Sequence, residues 1–217
     1  MRVTNLLSTT LFSVATAGLV ACGGGEAAQD DQASGADAAA AGGESERYRA
    51  VVVAEGLTWE EAKARAEADG GHLVTISSAE ENATVYALIA ENADLWVNLD
   101  VTTMTDGEET AIQVSLGPWI GLYQEGGAPE PAGGWSWVTG EASDYTNWLT
   151  GTTEATVEPN DMGGIEHYGH FFGEGLDVRA DTWNDMPNDP VTDFAAAGIE
   201  FTGDLSSPRG YIVEFEP

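Results

Sequence analysis

The helix-forming signals in this 217-residue chain all lie before residue 94. A chain whose helices precede most of its strands can adopt only a limited set of folds. The segment Thr58–Glu61 reads Thr-Trp-Glu-Glu, which is a capping box. In such a box the first hydroxyl and the last carboxylate each accept a hydrogen bond from a backbone amide that the helix leaves unpaired. The box predicts a helix that continues to about Asp69 and ends at Gly70-Gly71.

A second capping box, Ser78–Glu81, predicts a second helix. Four residues spaced at i, i+3, i+4 and i+7 form its apolar face. They are Tyr86, Ile89, Ala90 and Ala93.

Short apolar and aromatic runs, separated by turn residues, replace the helix signals beyond residue 94. Such runs predict strands, and one more strand is predicted ahead of the helices at Arg47–Ala54. Two helices followed by many strands indicate an α+β domain with an antiparallel sheet. The five later runs are Leu95–Val101, Ile112–Leu116, Trp119–Tyr123, Trp135–Val138 and Gly210–Phe215.

The stretch Gly140–Asp181 offers few strand candidates, yet it contains Trp148, Tyr168, Phe171 and Phe172. A loop of this length inside a compact domain is usually functional or disordered. Its aromatic residues argue against disorder, so an ordering cause is needed. Metal ligation is one such cause.

The N-terminal 46 residues indicate export and tethering. Residues 1–21 predict a signal peptide, and its small residues before Cys22 resemble a bacterial lipobox. An ordinary signal peptide that happens to contain a cysteine is the alternative. Residues 22–46 then comprise a lipidated cysteine and an acidic, disordered tether, and residues 47–217 form one folded domain. Gly23 favours a lipoprotein of the outer membrane in the bacterial cell envelope.

Charge and cysteine content exclude several classes of function. There are 37 acidic and 7 basic side chains, for a net charge of −30. Such a chain repels phosphate backbones, so no nucleic-acid partner is expected. With Cys22 as the single cysteine, neither an internal disulfide nor a zinc site built on several cysteines can form.

Several motifs of the predicted domain, in their order and spacing, resemble a C-type lectin-like domain across about residues 47–217. The resemblance implies the α+β C-type lectin-like fold, with two helices, antiparallel sheets and a long calcium-binding loop. The motifs are Thr58–Ala62, Gly70–Leu73, Ser78–Asn82, Trp119–Leu122, Tyr145–Trp148, Glu158–Asn160, Glu166, Trp183–Asp185 and Gly210–Phe215.

The resemblance implies a Ca²⁺ ion held in the long loop, and the residue chemistry agrees, because Ca²⁺ prefers hard oxygen ligands. The ligands are implied to be Glu158, Asn160, Glu166, Asn184 and Asp185. The first four are also implied to contact a sugar, whose vicinal hydroxyls complete the coordination of the ion. Pro159 is expected to follow a cis peptide bond.

The implied function is calcium-dependent carbohydrate binding by a lipid-anchored surface lectin. Its partners would be a glycan or glycoconjugate and, through the lipid, a membrane. The Glu-Pro-Asn order at 158–160 resembles binders of mannose, glucose, fucose and N-acetylglucosamine. The alternative is an adhesin that binds protein and uses calcium only to order the loop. An enzyme on a related fold is a third, disfavoured reading, because the folded domain has no cysteine to use.

Three departures from the family pattern bear on these expectations. The four family cysteines are replaced at positions that correspond to Ala66, Tyr168, Asn188 and Val213. Residues 92–117 are longer than usual and predict an added hairpin of unknown role. Asp161 matches a ligand of a second, structural calcium, but His167 stands where an acid is needed, and neither Glu125 nor Glu130 can be assigned to that site.

His167 and His170 invite a zinc interpretation because they lie three residues apart. Gly169 and its aromatic neighbours favour a strand or loop, in which such residues point apart. Packing roles are therefore expected for both histidines.

Overall fold

The computed structural model describes residues 47–105, 108–152, 156–199, 201 and 205–216. The predicted signal peptide (1–21), the lipidation site Cys22 and the rest of the acidic tether (23–46) lie outside the described residues.

Helix α1 spans Trp59–Ala68 and forms where the capping box predicts it. The Thr58 hydroxyl accepts from the Glu61 amide, and the Glu61 carboxylate accepts from the Thr58 amide, so both halves of the box are present. Trp59, Ala62 and Ala66 are buried and attach the helix to the core. Asp69 caps its end, as expected.

Helix α2 spans Ala79–Ile89, but its predicted cap and apolar face are only partly correct. Ser78 accepts from the Glu81 amide, whereas the Glu81 carboxylate turns to Ser77 instead of completing the box. The helix ends before Ala93, which is exposed in a following 3₁₀ turn, Ala93–Leu95. The buried side chains of α2 are Asn82, Val85 and Ile89.

Helix α3, Pro190–Ala196, contradicts the expectation that helices end before residue 94. Asp189 is its N-cap, accepting from the Thr192 amide, and Pro190 occupies the first helical position, where a missing amide costs nothing. The Asp-Pro pair was therefore an available local signal. Phe194 anchors this short helix in the core.

Eight strands form one sheet, and they confirm the α+β class. The predicted runs Ile112–Leu116 and Trp119–Tyr123 belong to a single long strand, whereas β6 and β7 were not predicted. The strands are β1 (Tyr48–Val52), β2 (His72–Leu73), β3 (Val97–Thr105), β4 (Glu108–Gln124), β5 (Trp135–Trp137), β6 (Tyr168–Glu174), β7 (Thr182–Met186) and β8 (Gly210–Glu214).

The sheet runs in the order β1-β8-β4-β6-β7, with β2 beside β8 and with β3 and β5 beside β4. All of these pairs are antiparallel except β4 with β8, which meet in parallel at Trp119 and Tyr211, so the predicted antiparallel sheet is in fact mixed. Strands β3 and β4 form the hairpin predicted for residues 92–117. Pairing of β1 with β8 brings the two ends of the domain together.

The core lies between the helices and the sheet, with Trp119 and Trp183 fully buried. Gly121 lets β4 pass close to the end of β2, because a Cβ there would stand 2.7 Å from the Leu73 carbonyl oxygen. None of the described helices has the length and apolar character needed to cross a membrane.

Candidate functional site

The Glu158–Asn160 segment lies in the long loop and is fixed at both ends. The Glu158–Pro159 peptide bond is cis, which confirms the expectation. The Glu158 amide donates to the Leu149 carbonyl oxygen at 2.8 Å, and the Asn160 side-chain amide donates to the Glu158 carboxylate at 2.6 Å. The acid and the amide are therefore held against each other.

Strand β7 delivers Asn184 and Asp185 to this segment. Asp185 accepts hydrogen bonds from the backbone amides of Asn160 and Asp161, at 3.1 and 2.9 Å. This carboxylate is fully buried and ties the loop to the sheet. Two sequence-predicted ligand groups that lie about 25 residues apart in the chain are thus brought together.

Glu166 returns to the same place through a tight turn. Its carboxylate accepts from the Met162 amide at 2.7 Å, and its own amide donates to the Asp161 carboxylate at 3.1 Å. Asp161 adopts a left-handed backbone conformation at φ 48°. Asp is one of the few residues with a side chain that adopts this region readily.

A buried histidine orients Asn184. Burial lowers the pKa of His170 to about 3, so its ring is neutral at ordinary pH. The Asn184 amide nitrogen lies 3.0 Å from His170 Nε2 and donates to it. It also donates to the Asp185 carbonyl oxygen. Since the nitrogen is committed to these acceptors, the Asn184 side-chain oxygen is the atom that a cation can use. The packing role expected for His170 fits its full burial.

One cavity joins the predicted ligands to an apolar wall. Its volume is about 50 Å³, room for an ion and a few waters, and Glu158, Asn160, Glu166 and Asn184 line one side of it. The remaining lining is apolar and comes from the β3–β4 hairpin, the Met162 turn, β6, β7 and the segment around α3. These residues are Leu99, Ile112, Val114, Leu116, Met162, Phe172, Met186, Phe194, Phe201 and Leu205.

The acids of this site are buried without a basic partner. Glu158, Glu166 and Asp185 are 7%, 4% and 0% exposed, and among the described residues no ion pair reaches them. Burial, reinforced by the Asp185 carboxylate, raises the pKa of Glu158 to about 9 and that of Glu166 well above its usual value. Burial also raises the pKa of Asp185. A bound cation would offset the free-energy cost of burying these carboxylates in their charged form.

The donor set fits a large, hard cation. It comprises three carboxylates and two amide side chains, which together supply the oxygen ligands that Ca²⁺ prefers. The three acids do not bring one oxygen each within 4.8 Å of one another.

A second cluster was not assembled from the sequence. Among the described residues, Glu130, Asp161 and His167 do bring one ligand atom each within 4.8 Å of one another. Their sequence separations follow no metal-binding motif, and their meeting depends on how the loops fold over the end of β4. His167, for which the sequence predicted a packing role, is only partly buried.

No protein-family model matches this chain, and no curated protein matches it. Solved structures with a similar fold include a calcium-independent type II antifreeze protein, at 21% identity and a TM-score of 0.42 over 76% of this chain and 82% of that chain. Others are the cow C-type carbohydrate-recognition domain of CD23 (22%, TM-score 0.43, over 78% and 87%) and human lithostathine (17%, TM-score 0.45, over 79% and 93%).

Proposed function

We propose that this chain is a non-enzymatic, calcium-dependent carbohydrate-binding protein. The observation that carries the proposal is the convergence of three buried carboxylates that lack a basic partner among the described residues. Buried charge is costly unless it is paired or coordinates a metal. The proposed ligands are Glu158, Asn160, Glu166, Asn184 and Asp185, as the sequence indicated.

The side chains divide the work of such a site. Asp185, fixed by two backbone amides behind the cavity, would anchor the ion, whereas Glu158, Asn160, Glu166 and Asn184 face the cavity and can also meet a ligand. A bound Ca²⁺ would offer coordination positions to two vicinal hydroxyls of a sugar. Glu158 would accept a hydrogen bond from such a hydroxyl. Asn160 would donate one, exchanging its present bond to Glu158.

The apolar wall is buried and the cavity is too small for a sugar ring, so a sugar would approach the ion from solvent through its hydroxyls. Phe194 from α3 and Leu99 from the β3–β4 hairpin stand on that wall. The added hairpin therefore has a proposed role in shielding the ion site on one side. The Glu-Pro-Asn order supports a mannose-type preference, through the family resemblance alone.

One observation favours the alternative, an adhesin that binds protein and in which calcium only orders the loop. Glu166 and Asp185 are almost completely buried, and both hold backbone amides of the 160–162 turn. An ion at this depth would stabilise the turn whether or not a sugar reached it.

We also propose that Cys22 carries lipid and anchors the protein to the bacterial cell envelope, in the outer membrane. The lipobox-like sequence before Cys22 supports this anchoring. Replacement of Cys22 by Ser is expected to release the protein into the soluble fraction. Mass spectrometry of the N-terminal peptide is expected to show acylation, and an unmodified cysteine would contradict the proposal.

Calorimetric titration with Ca²⁺ and a glycan array read with and without EDTA test the binding proposal. Binding of mannose-type glycans that EDTA abolishes is the expected result. Calcium binding without any glycan binding would favour the adhesin, and the absence of calcium binding would overturn both. The double substitution Glu158→Gln, Asn160→Asp is expected to shift glycan preference toward galactose. Exposed Glu141→Gln is the matched control.

A further inference from the structure

A cleft separate from the proposed calcium site lies between strand β5 and the loop at 140–148. Its volume is about 570 Å³, which is within the usual range of small-molecule sites. Trp137 in its lining is buried, whereas Trp135, Tyr145 and Trp148 are only half-buried. We call it the aromatic cleft, because these three half-buried side chains offer part of their surface to a ligand.

The aromatic walls of the cleft are fixed by the protein around them. Trp183 is fully buried and meets the rings of Tyr145 and Trp148 edge to face, with centroids 5.6 and 6.0 Å apart. The rings of Trp135 and Trp148 have centroids 4.7 Å apart and planes inclined by 59°, so they form a corner and not a stack. The Trp135 indole also donates to the Pro131 carbonyl oxygen at 3.0 Å. A ligand would therefore meet preformed aromatic surfaces.

The charge around the aromatic cleft is negative. Asp144 is exposed in its lining, and the Asp144 carboxylate makes no ion pair with another described residue. None of the described residues that line the cleft is Lys, Arg or His. Burial, and after it the charge of Asp181, raises the pKa of Tyr145, so this wall also experiences a negative field. With a net charge of −30 on the whole chain, the cleft attracts cations and repels anions.

We propose that the aromatic cleft binds a quaternary ammonium group, which would contact its three half-buried aromatic rings. Asp144 supplies the counter-charge. The face of an aromatic ring carries partial negative charge and attracts a cation within about 6 Å of its centre. A quaternary ammonium has no N–H group to satisfy, so a largely aromatic lining suits it better than it suits a primary ammonium. The volume leaves room for part of the molecule that carries the ammonium group.

The proposal does not depend on the proposed calcium site. The two cavities share no lining residue. Strand β7 lies between them, because Trp183 packs behind the aromatic cleft whereas Asn184, the next residue, lines the calcium cavity. Successive side chains of a strand point to opposite faces of the sheet. Failure of one proposal would therefore leave the other intact.

The test titrates the full chain with choline chloride in EDTA and follows the N-methyl proton resonance of choline. Because protons over an aromatic face shift upfield, an upfield shift on binding is the expected result. The neutral isostere 3,3-dimethylbutan-1-ol is expected to bind about fivefold more weakly, since it has the same shape without the charge. Equal affinity for the two compounds would overturn the proposal. An upfield shift of methyl mannoside ring protons, with none for choline, would overturn it too and assign the cleft to a neutral sugar.

Two variants locate the binding in the aromatic cleft. Trp135→Leu removes one aromatic wall and is expected to weaken choline binding about fivefold. Asp144 is exposed, so Asp144→Asn is expected to fold normally and to weaken binding about two- to fivefold, less at high salt. Asp94→Asn, an exposed acid outside the cleft, is the matched control. If Trp135→Leu does not fold, Asp144→Asn decides, and a wild-type affinity of Asp144→Asn for choline would refute the proposal.

Discussion

Glu158→Gln is expected to change stability in opposite directions with and without calcium. Glutamine keeps the size of the side chain and an oxygen for the Asn160 amide, but it removes a charge. In metal-free protein, Glu158 is 7% exposed beside Asp185. Because folding raises the pKa of the Glu158 carboxyl to about 9, folding at pH 7 takes up a proton, at a cost on the order of 3 kcal/mol. Glutamine needs no proton, so the metal-free variant is expected to be at least as stable as the wild type.

Calcium is expected to reverse this order. At a hundredfold excess over its dissociation constant, an ion bound only by the folded state stabilises by about 2.7 kcal/mol. For a domain of this size, that free energy corresponds to an increase in Tm of about 5–11 °C. The variant lacks one ligand and should gain little. The wild type is therefore expected to melt above the variant in calcium and at or below it in EDTA.

Thermal unfolding followed by circular dichroism, in EDTA and in millimolar CaCl₂, measures both effects. Glu141→Gln controls for the loss of an acidic charge at an exposed position and is expected to follow the wild type. A wild-type Tm that is the same in EDTA and in calcium would refute the reasoning. An equal loss of stability by Glu158→Gln under both conditions would refute it too, because it would indicate a packing defect.

Two further predictions concern the fold. Tyr48→Phe removes the 2.5 Å hydrogen bond from the Tyr48 hydroxyl to Glu81 and is expected to cost about 1–3 kcal/mol at pH 7 in urea unfolding. Burial alone would raise the pKa of Glu81, but hydrogen bonds from Tyr48 and Ser77 lower it. The stabilisation is thus present above the carboxyl's ordinary pKa and is lost as pH falls through its lowered value, so a cost undiminished at pH 2–3 would contradict this reading. Gly121→Ala places a Cβ 2.7 Å from the Leu73 carbonyl oxygen and is expected to lower stability by about 1–3 kcal/mol, and an unchanged Tm would show that β4 shifts freely.

Local sequence patterns predicted the parts of the structure that neighbouring residues control. The Thr58 cap formed as expected, because its two hydrogen bonds involve residues only three apart. The second box formed only in part, because the Glu81 carboxylate accepts hydrogen bonds from Ser77 and Tyr48 instead of from the Ser78 amide. Tertiary contacts therefore determine whether a capping box forms when a donor from a distant part of the chain competes for its carboxylate.

In the proposed site, too, some features follow from local sequence and others from tertiary contacts. The sequence by itself determined the donor chemistry at 158–160, 166 and 184–185, and an approximate location of the strands. Only the tertiary structure decided that the β3–β4 hairpin and α3 wall the cavity, and that His167 faces Gln124 while His170 faces Asn184. It alone brought Glu130 to Asp161. The physical reason is that residues far apart in the chain meet through strand pairing and loop packing, which depend on the whole sheet and not on local spacing.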